Sequence, residues 1–173
     1  MKKLILVSYL LIFVVQVIHA RQSDFPKLTG PYLGQRPPGM IPEIFSRGIV
    51  STDMYNHCTV SISPDGTEIY WAMAPLDAPR CIYCSKIVNG TWTRPEIVDF
   101  TRSDDGDCPV LSPDGTMLFF NSNRPMPQGR TRRERIWCVA RTPAGWGAPI
   151  PLGSEINDEH LHWQVSVDAK GNL

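Results

Sequence analysis

Two segments of this chain nearly repeat each other. Residues 62–71 read ISPDGTEIYW and residues 111–120 read LSPDGTMLFF, which sets Ser63 and Ser112 49 residues apart. Downstream, Ile82-Tyr83-Cys84 returns as Ile136-Trp137-Cys138, 54 residues on, and Trp92-Thr93-Arg94-Pro95 returns as Trp146-Gly147-Ala148-Pro149 at the same 54. The extra five residues fall between Phe119 and Ile136, in the stretch NRPMPQGRTRRER. A third start is expected at Ser166-Val167-Asp168, because Trp146 to Ser166 spans 20 residues, as Trp92 to Ser112 does. A period of this size marks an architecture in which each unit buries its apolar faces against its neighbours.

Each unit holds four short strand candidates separated by turns. In the first they fall near 58–62, 67–73, 81–87 and 96–100, carried by β-branched and aromatic runs such as Glu68-Ile69-Tyr70-Trp71. Pro64-Asp65-Gly66 and Pro113-Asp114-Gly115 are turns with a mechanism, since proline presets φ and glycine accepts a positive one. No segment beyond the N-terminal one shows helical periodicity. Four strands per unit of about 50 residues predict an all-β fold, a β-propeller in which each unit is one blade. A β-sandwich also has short strands and regular turns, but does not require one motif to recur at a fixed interval.

The second copy carries a longer succession: Leu118-Phe119-Phe120-Asn121-Ser122-Asn123-Arg124-Pro125, then Ile136-Trp137, Gly145-Trp146, Pro149, Leu152-Gly153 and Ile156-Asn157. It resembles the WD40-like β-propeller repeat of TolB-type exported bacterial proteins. The resemblance covers residues 57–173, less fully in the first copy, and departs at 168–171, where Asp-Ala-Lys-Gly replaces the Asp-Gly pair. It implies a propeller that binds rather than catalyses, with units at about 57–100, 106–152 and an incomplete 160–173. Residues 21–56, with prolines at 26, 31, 37, 38 and 42, are expected to be an extended lead-in packed on the propeller.

Residues 1–20 have the form of a secretory signal peptide: Lys2 and Lys3, an apolar run from Leu4 to Ile18, and a closing Ala20. Cleavage before Arg21 would leave a periplasmic or secreted chain, and no later stretch is apolar enough to span a membrane. The 17 basic and 17 acidic residues become 15 and 17 once Lys2 and Lys3 are gone. The zero formal charge of the whole chain, −2 after the signal, removes the electrostatic case for nucleic acid or an anionic membrane as the main partner. All five cysteines (58, 81, 84, 108, 138) follow the signal, and an odd count leaves at least one outside an intrachain disulfide. Cys81-Ile82-Tyr83-Cys84 has redox spacing, but residues i and i+3 of a strand face opposite ways, so these are expected to be buried structural thiols.

In a propeller the first strand of each blade is innermost, and the loop before it opens on the central channel. That places His57, Asp104, Asp105, Asp107, Glu159, His160, His162 and Gln164 near one channel mouth, a set suited to a polar ligand. Whether a metal belongs there the pattern leaves open. Arg130, Arg132 and Arg133 in the insertion form a basic cluster suited to a phosphate or a carboxylate-rich partner. No nucleophile elbow, zinc-protease motif or phosphate-binding glycine loop occurs, and no cofactor is implied. The expected function is therefore a non-catalytic scaffold of the cell envelope that binds a protein or a glycan. The alternative is a glycosidase-like hydrolase using the loop carboxylates. The 153 residues after the signal supply about two and a half blades against the four or more a ring needs, so the chain is expected to be part of a longer protein.

Overall fold

The computed structural model describes residues 25–74, 78–126, 133–158 and 164–173, with backbone alone at 55–57 and 59. Strands form where the repeat places them. The first sheet comprises β1 (Tyr55–Ile62), β2 (Glu68–Ala74) and β3 (Cys81–Val88), with the short β4 (Thr91–Trp92) and β5 (Glu96–Ile97) both paired to β3. The second comprises β6 (Asp107–Leu111), β7 (Met117–Ser122) and β8 (Arg135–Thr142), with β9 (Gly145–Trp146) and β10 (Ile150–Pro151) both paired to β8. All pairings are antiparallel. The protein is all-β, two antiparallel sheets of five strands, with one short α-helix, α1 (Ser154–Asn157), among the described residues.

The repeat seen in sequence is also a repeat of register. Ser61 pairs with Tyr70 and Val110 with Phe119; Tyr70 pairs with Cys84 and Phe119 with Cys138; Cys84 pairs with Glu96 and Cys138 with Ile150. The expected strand over 96–100 is shortened to β5 because Asp99–Thr101 closes into a 3-10 turn. β4 is an additional short strand, set apart from β5 by Thr93-Arg94-Pro95, whose proline has no N–H for a ladder.

The two Ser-Pro-Asp-Gly-Thr turns are near copies. Ser63 Oγ donates to Asp65 Oδ1 at 2.6 Å, and Thr67 N and Oγ1 donate to the same oxygen at 3.0 and 2.8 Å. At Ser112, Asp114 and Thr116 the corresponding distances are again 2.6, 3.0 and 2.8 Å. Gly66 and Gly115 take φ of 71° and 72°, the left-handed region that glycine enters without steric cost. Each N–H then reaches the serine carbonyl at 2.8 Å.

The third copy is set two residues later than the spacing implies. Gly171 N donates to the carbonyl of Asp168, as Gly66 does to that of Ser63, so Asp168 rather than Ser166 holds the serine place. Its own carboxylate accepts Asn172 N–H, the counterpart of the Thr67 N–H taken by Ser63 and Asp65, and Lys170 N–H as well. Turn chemistry, not the count from Trp146, fixes the register.

Both sheets bury both faces, which is why β2 and β7 read as continuous apolar runs rather than alternating ones. Between the sheets lie Tyr70, Ala72, Ile82 and Cys84 from the first and Leu111, Leu118, Phe120, Trp137 and Val139 from the second. Burial of Leu118, Phe120 and Val139 contributes about 1.5–3 kcal/mol each. The far face of the first sheet (Ile69, Trp71, Met73, Trp92) is covered by Leu28, Leu33, Phe45, Ile49 and Val50 of the lead-in. Trp92 Nε1 also donates to Gly30 O at 2.7 Å. The far face of the second (Phe119, Ile136, Cys138) is covered by Val165 and Val167 of the third unit, with Leu152 and Ile156.

Cys58 and Cys108, at equivalent bulges in β1 and β6, are joined as a disulfide with Cα atoms 5.1 Å apart, and both take left-handed backbone. Cys81, Cys84 and Cys138 are free; Cys84 and Cys138 are buried as structural thiols, whereas Cys81 is only half-buried. No helix among the described residues is long and apolar enough to cross a membrane.

Candidate functional site

Strand direction brings the starts of β3, β6 and β8 and the end of β7 to the edge opposite the Ser-Pro-Asp-Gly-Thr turns. There the two sheets are tied by one arginine. Arg80 grips Asp105 with two bonds, Nε to Oδ1 at 2.9 Å and Nη2 to Oδ2 at 2.6 Å. Its Nη1 donates to Asp107 Oδ2 at 2.7 Å, and Nη2 lies 2.9 Å from Glu134 Oε1. Bonding to Asp105 holds the guanidinium further above its ordinary range, against the opposing effect of burial. Asp107 is fully buried, and its second oxygen accepts Cys108 N–H at 2.8 Å. Gly106 sits between the two aspartates because a Cβ there would collide with the Thr101 side chain.

A second arginine lies beneath. Arg124 is buried, its guanidinium 5.0 Å from the Phe120 ring and 5.2 Å from that of Trp137. It donates to Ser122 Oγ at 3.1 Å and to Phe100 O at 2.6 Å. Burial lowers its pKa, with Asp104 and Asp105 pulling the other way.

Of the expected mouth residues, the structure therefore brings Asp105 and Asp107 together and leaves Asp104 half-buried near Arg124. His57 is on β1 opposite Ala72, and its side chain, with Glu159, His160 and His162, lies outside what is described. Gln164 is exposed. Arg130 and Arg132 lie outside the described residues, and Arg133 donates to Asn157 O at 2.6 Å. Among the described residues, Cys58, Asp107 and Cys108 place possible ligand atoms within 4.8 Å of one another. The sulfurs are bonded to each other and both Asp107 oxygens are engaged, so this set offers a metal no open donor.

The larger opening lies elsewhere, between the outer strands. A cleft of about 590 Å³ separates β5 and the following turn from the β9–β10 segment, with Lys86, Glu96, Phe100, Arg102, Trp146 and Ala148 on its walls. Trp146 is held from behind: Nε1 donates to Tyr70 Oη at 3.1 Å, and the Arg141 guanidinium lies 4.0 Å from the ring centroid. Tyr70 donates to Glu68 Oε2 at 2.7 Å, and Arg141 reaches the same carboxylate at 2.6 and 3.2 Å. Burial pushes Glu68 up, but the bonds from Arg141 and Tyr70 prevail and keep it below its ordinary value. Burial pushes the Cys84 thiol, on the cleft floor, up to about 11, so it stays protonated and inert at neutral pH.

Sequence reasoning missed Arg80 and this cleft. Arg80 has partners 25, 27 and 54 residues away, a separation no local pattern reports. The cleft had one signal, the equivalence of Trp92 and Trp146: Trp92 is sealed under the lead-in, and Trp146 stands at an opening. No family model matches the chain, and no curated protein does.

Proposed function

We propose that the two sheets are adjacent blades of an exported β-propeller of WD40-like, TolB type, which binds a protein or glycan of the cell envelope and catalyses no reaction. The observation that carries this reading is a wedge. The first strands of the two sheets are drawn together by the Cys58–Cys108 disulfide and by Leu111 N–H to Ser61 Oγ at 2.9 Å, while the outer strands part to leave the cleft. Blades around an axis are close inside and splayed outside, whereas the layers of a sandwich keep a near-constant spacing. Placement of Val165 and Val167 on the second sheet supports a third unit stacking in the same sense.

Binding is favoured over hydrolysis because two of the loop carboxylates open to that chemistry, Asp105 and Asp107, are already engaged by Arg80, whereas a general acid or base must reach the substrate. Export is supported by the disulfide, which persists in an oxidising compartment, and by the leader-like residues 1–20.

A panel of envelope glycans and peptides, measured in parallel for retention and turnover, tests the reading. Retention without turnover is expected; steady-state hydrolysis of any member would replace the scaffold reading by the hydrolase one. Mass spectrometry of the exported chain is expected to find Arg21 at its N-terminus.

A further inference from the structure

Resting on the scaffold reading, we infer that the cleft between the outer strands is a binding site for a neutral oligosaccharide, with the Trp146 indole as its stacking platform. A volume of about 590 Å³ is within the range of small-ligand sites. The indole is fixed before any ligand arrives: its N–H is spent on Tyr70, the Tyr70 ring meets it edge-on at 6.1 Å, and Arg141 covers one face. Trp146 lines the cleft and Arg141 does not, so a ligand in the cleft meets the indole on a side away from the guanidinium. A rigid apolar plane among hydrogen-bonding groups suits a pyranose ring, which has a C–H face for stacking and hydroxyls around its rim.

The charges of the cleft argue for a neutral ligand. Lys86 is paired with Glu68 at 3.1 Å and Arg102 with Asp99 at 3.2 Å, and the lining offers no excess of cations to select an anion. Strand length argues against an extended peptide. Peptides that bind between sheets gain affinity by adding a strand to a free edge, and β5 and β10 are each two residues long. So short an edge gives no ladder, whereas a sugar needs none.

The test titrates the folded protein with chitotriose, cellotriose and maltotriose, reading tryptophan fluorescence and calorimetric heat, with sialyllactose as the charged control. Binding of at least one neutral trisaccharide, tenfold or more tighter than sialyllactose, is expected. Trp146 also packs on Tyr70, so the variant of choice is Ala148→Arg: Ala148 is exposed on the cleft wall and its replacement fills the opening from outside. Ala148→Arg is expected to melt as the parent does and to bind the trisaccharide at least tenfold more weakly. Trp146→Phe, which keeps a smaller ring, is expected to bind with intermediate affinity. No binding of any neutral trisaccharide, or binding unchanged in Ala148→Arg, overturns the inference. Retention of an envelope peptide in its place would do so while leaving the scaffold reading intact, and hydrolysis of the trisaccharide would remove that reading too.

Discussion

At the Ser63 and Ser112 turns the two sheets agree to within 0.1 Å in three hydrogen bonds to the aspartate oxygen. At the opposite edge they share little: Arg80, from the first, crosses to Asp105, Asp107 and Glu134 around the second. The difference is one of range. A turn closed by five successive residues is dictated locally, so any copy of the motif rebuilds it. An edge held by contacts across 25 to 54 residues belongs to the pair of sheets and not to either repeat. Local contacts make each turn, and non-local ones join the sheets.

This contrast can be broken most severely at the disulfide. Cys58 and Cys108 close a separation of 50 residues, for which the chain-entropy relation gives about 4 kcal/mol, so Cys58→Ser is expected to lower urea stability by roughly that amount. A loss under 1 kcal/mol would mean the sheets hold their inner strands together without it.

Next is Arg80→Met. It strands Asp107, whose side chain is 1% exposed, and is expected to cost about 3 kcal/mol, the low end for a broken buried pair because Arg80 itself is 22% exposed. In an Asp105→Asn/Asp107→Asn background the same substitution is expected to cost less than half as much. An equal cost in both backgrounds would show that the guanidinium matters for its packing and not its charge.

Smaller effects belong to the turns. Ser63→Ala and Ser112→Ala each remove a hydroxyl that serves an aspartate and a strand N–H, and each is expected to cost about 1 kcal/mol. The two values should be similar, and a discrepancy would be traced to the bonds the turns do not share, Thr67 N–H to Ser63 Oγ at 3.1 Å and Ser112 Oγ to Met117 O at 3.2 Å.

The smallest effect is in acid. Asp65 and Asp114 are held at about 2 against 3.8 unfolded, chiefly by the hydroxyls of Ser63 and Ser112. A carboxylate with a lowered folded pKa stabilises fully above 3.8 and loses that contribution as the pH falls toward 2. Thermal midpoints should therefore decline between pH 4 and pH 2, and Asp65→Asn/Asp114→Asn should flatten the decline. Both carboxylates face solvent, which keeps the effect small.

The same division of range explains what the sequence disclosed. The strands were readable because β2 and β7 state their burial in residue type, and the turns because Pro-Asp-Gly has few backbone solutions. The third register differs because counting to Ser166 presumes a serine, whereas Asp168 supplies the side-chain oxygen of that turn. Asn157 shows the limit more sharply. Its amide accepts from Ile136 N–H and donates to the carbonyls of Ile136 and Leu152, each at 2.9 Å, serving β8 as a strand partner would. Ile156-Asn157 stood out in the sequence only as the end of the second copy's succession, and its spacing from Ile136 gave no sign of these bonds. The disulfide pairing was equally hidden, since five cysteines do not name their partners and only the stacking of β1 beside β6 selects two of them. The candidate site divided in the same way: Asp105 and Asp107 were readable as an acidic loop, but not the arginine that occupies them.

The lead-in gives the stack a direction. Leu28, Leu33, Phe45, Ile49 and Val50 occupy the far face of the first sheet, and every one of them precedes β1 in the chain. The residues that cover that face are thus synthesised before the sheet they cover. Removing the lead-in would therefore uncover Ile69, Trp71, Met73 and Trp92 together, as one continuous apolar face.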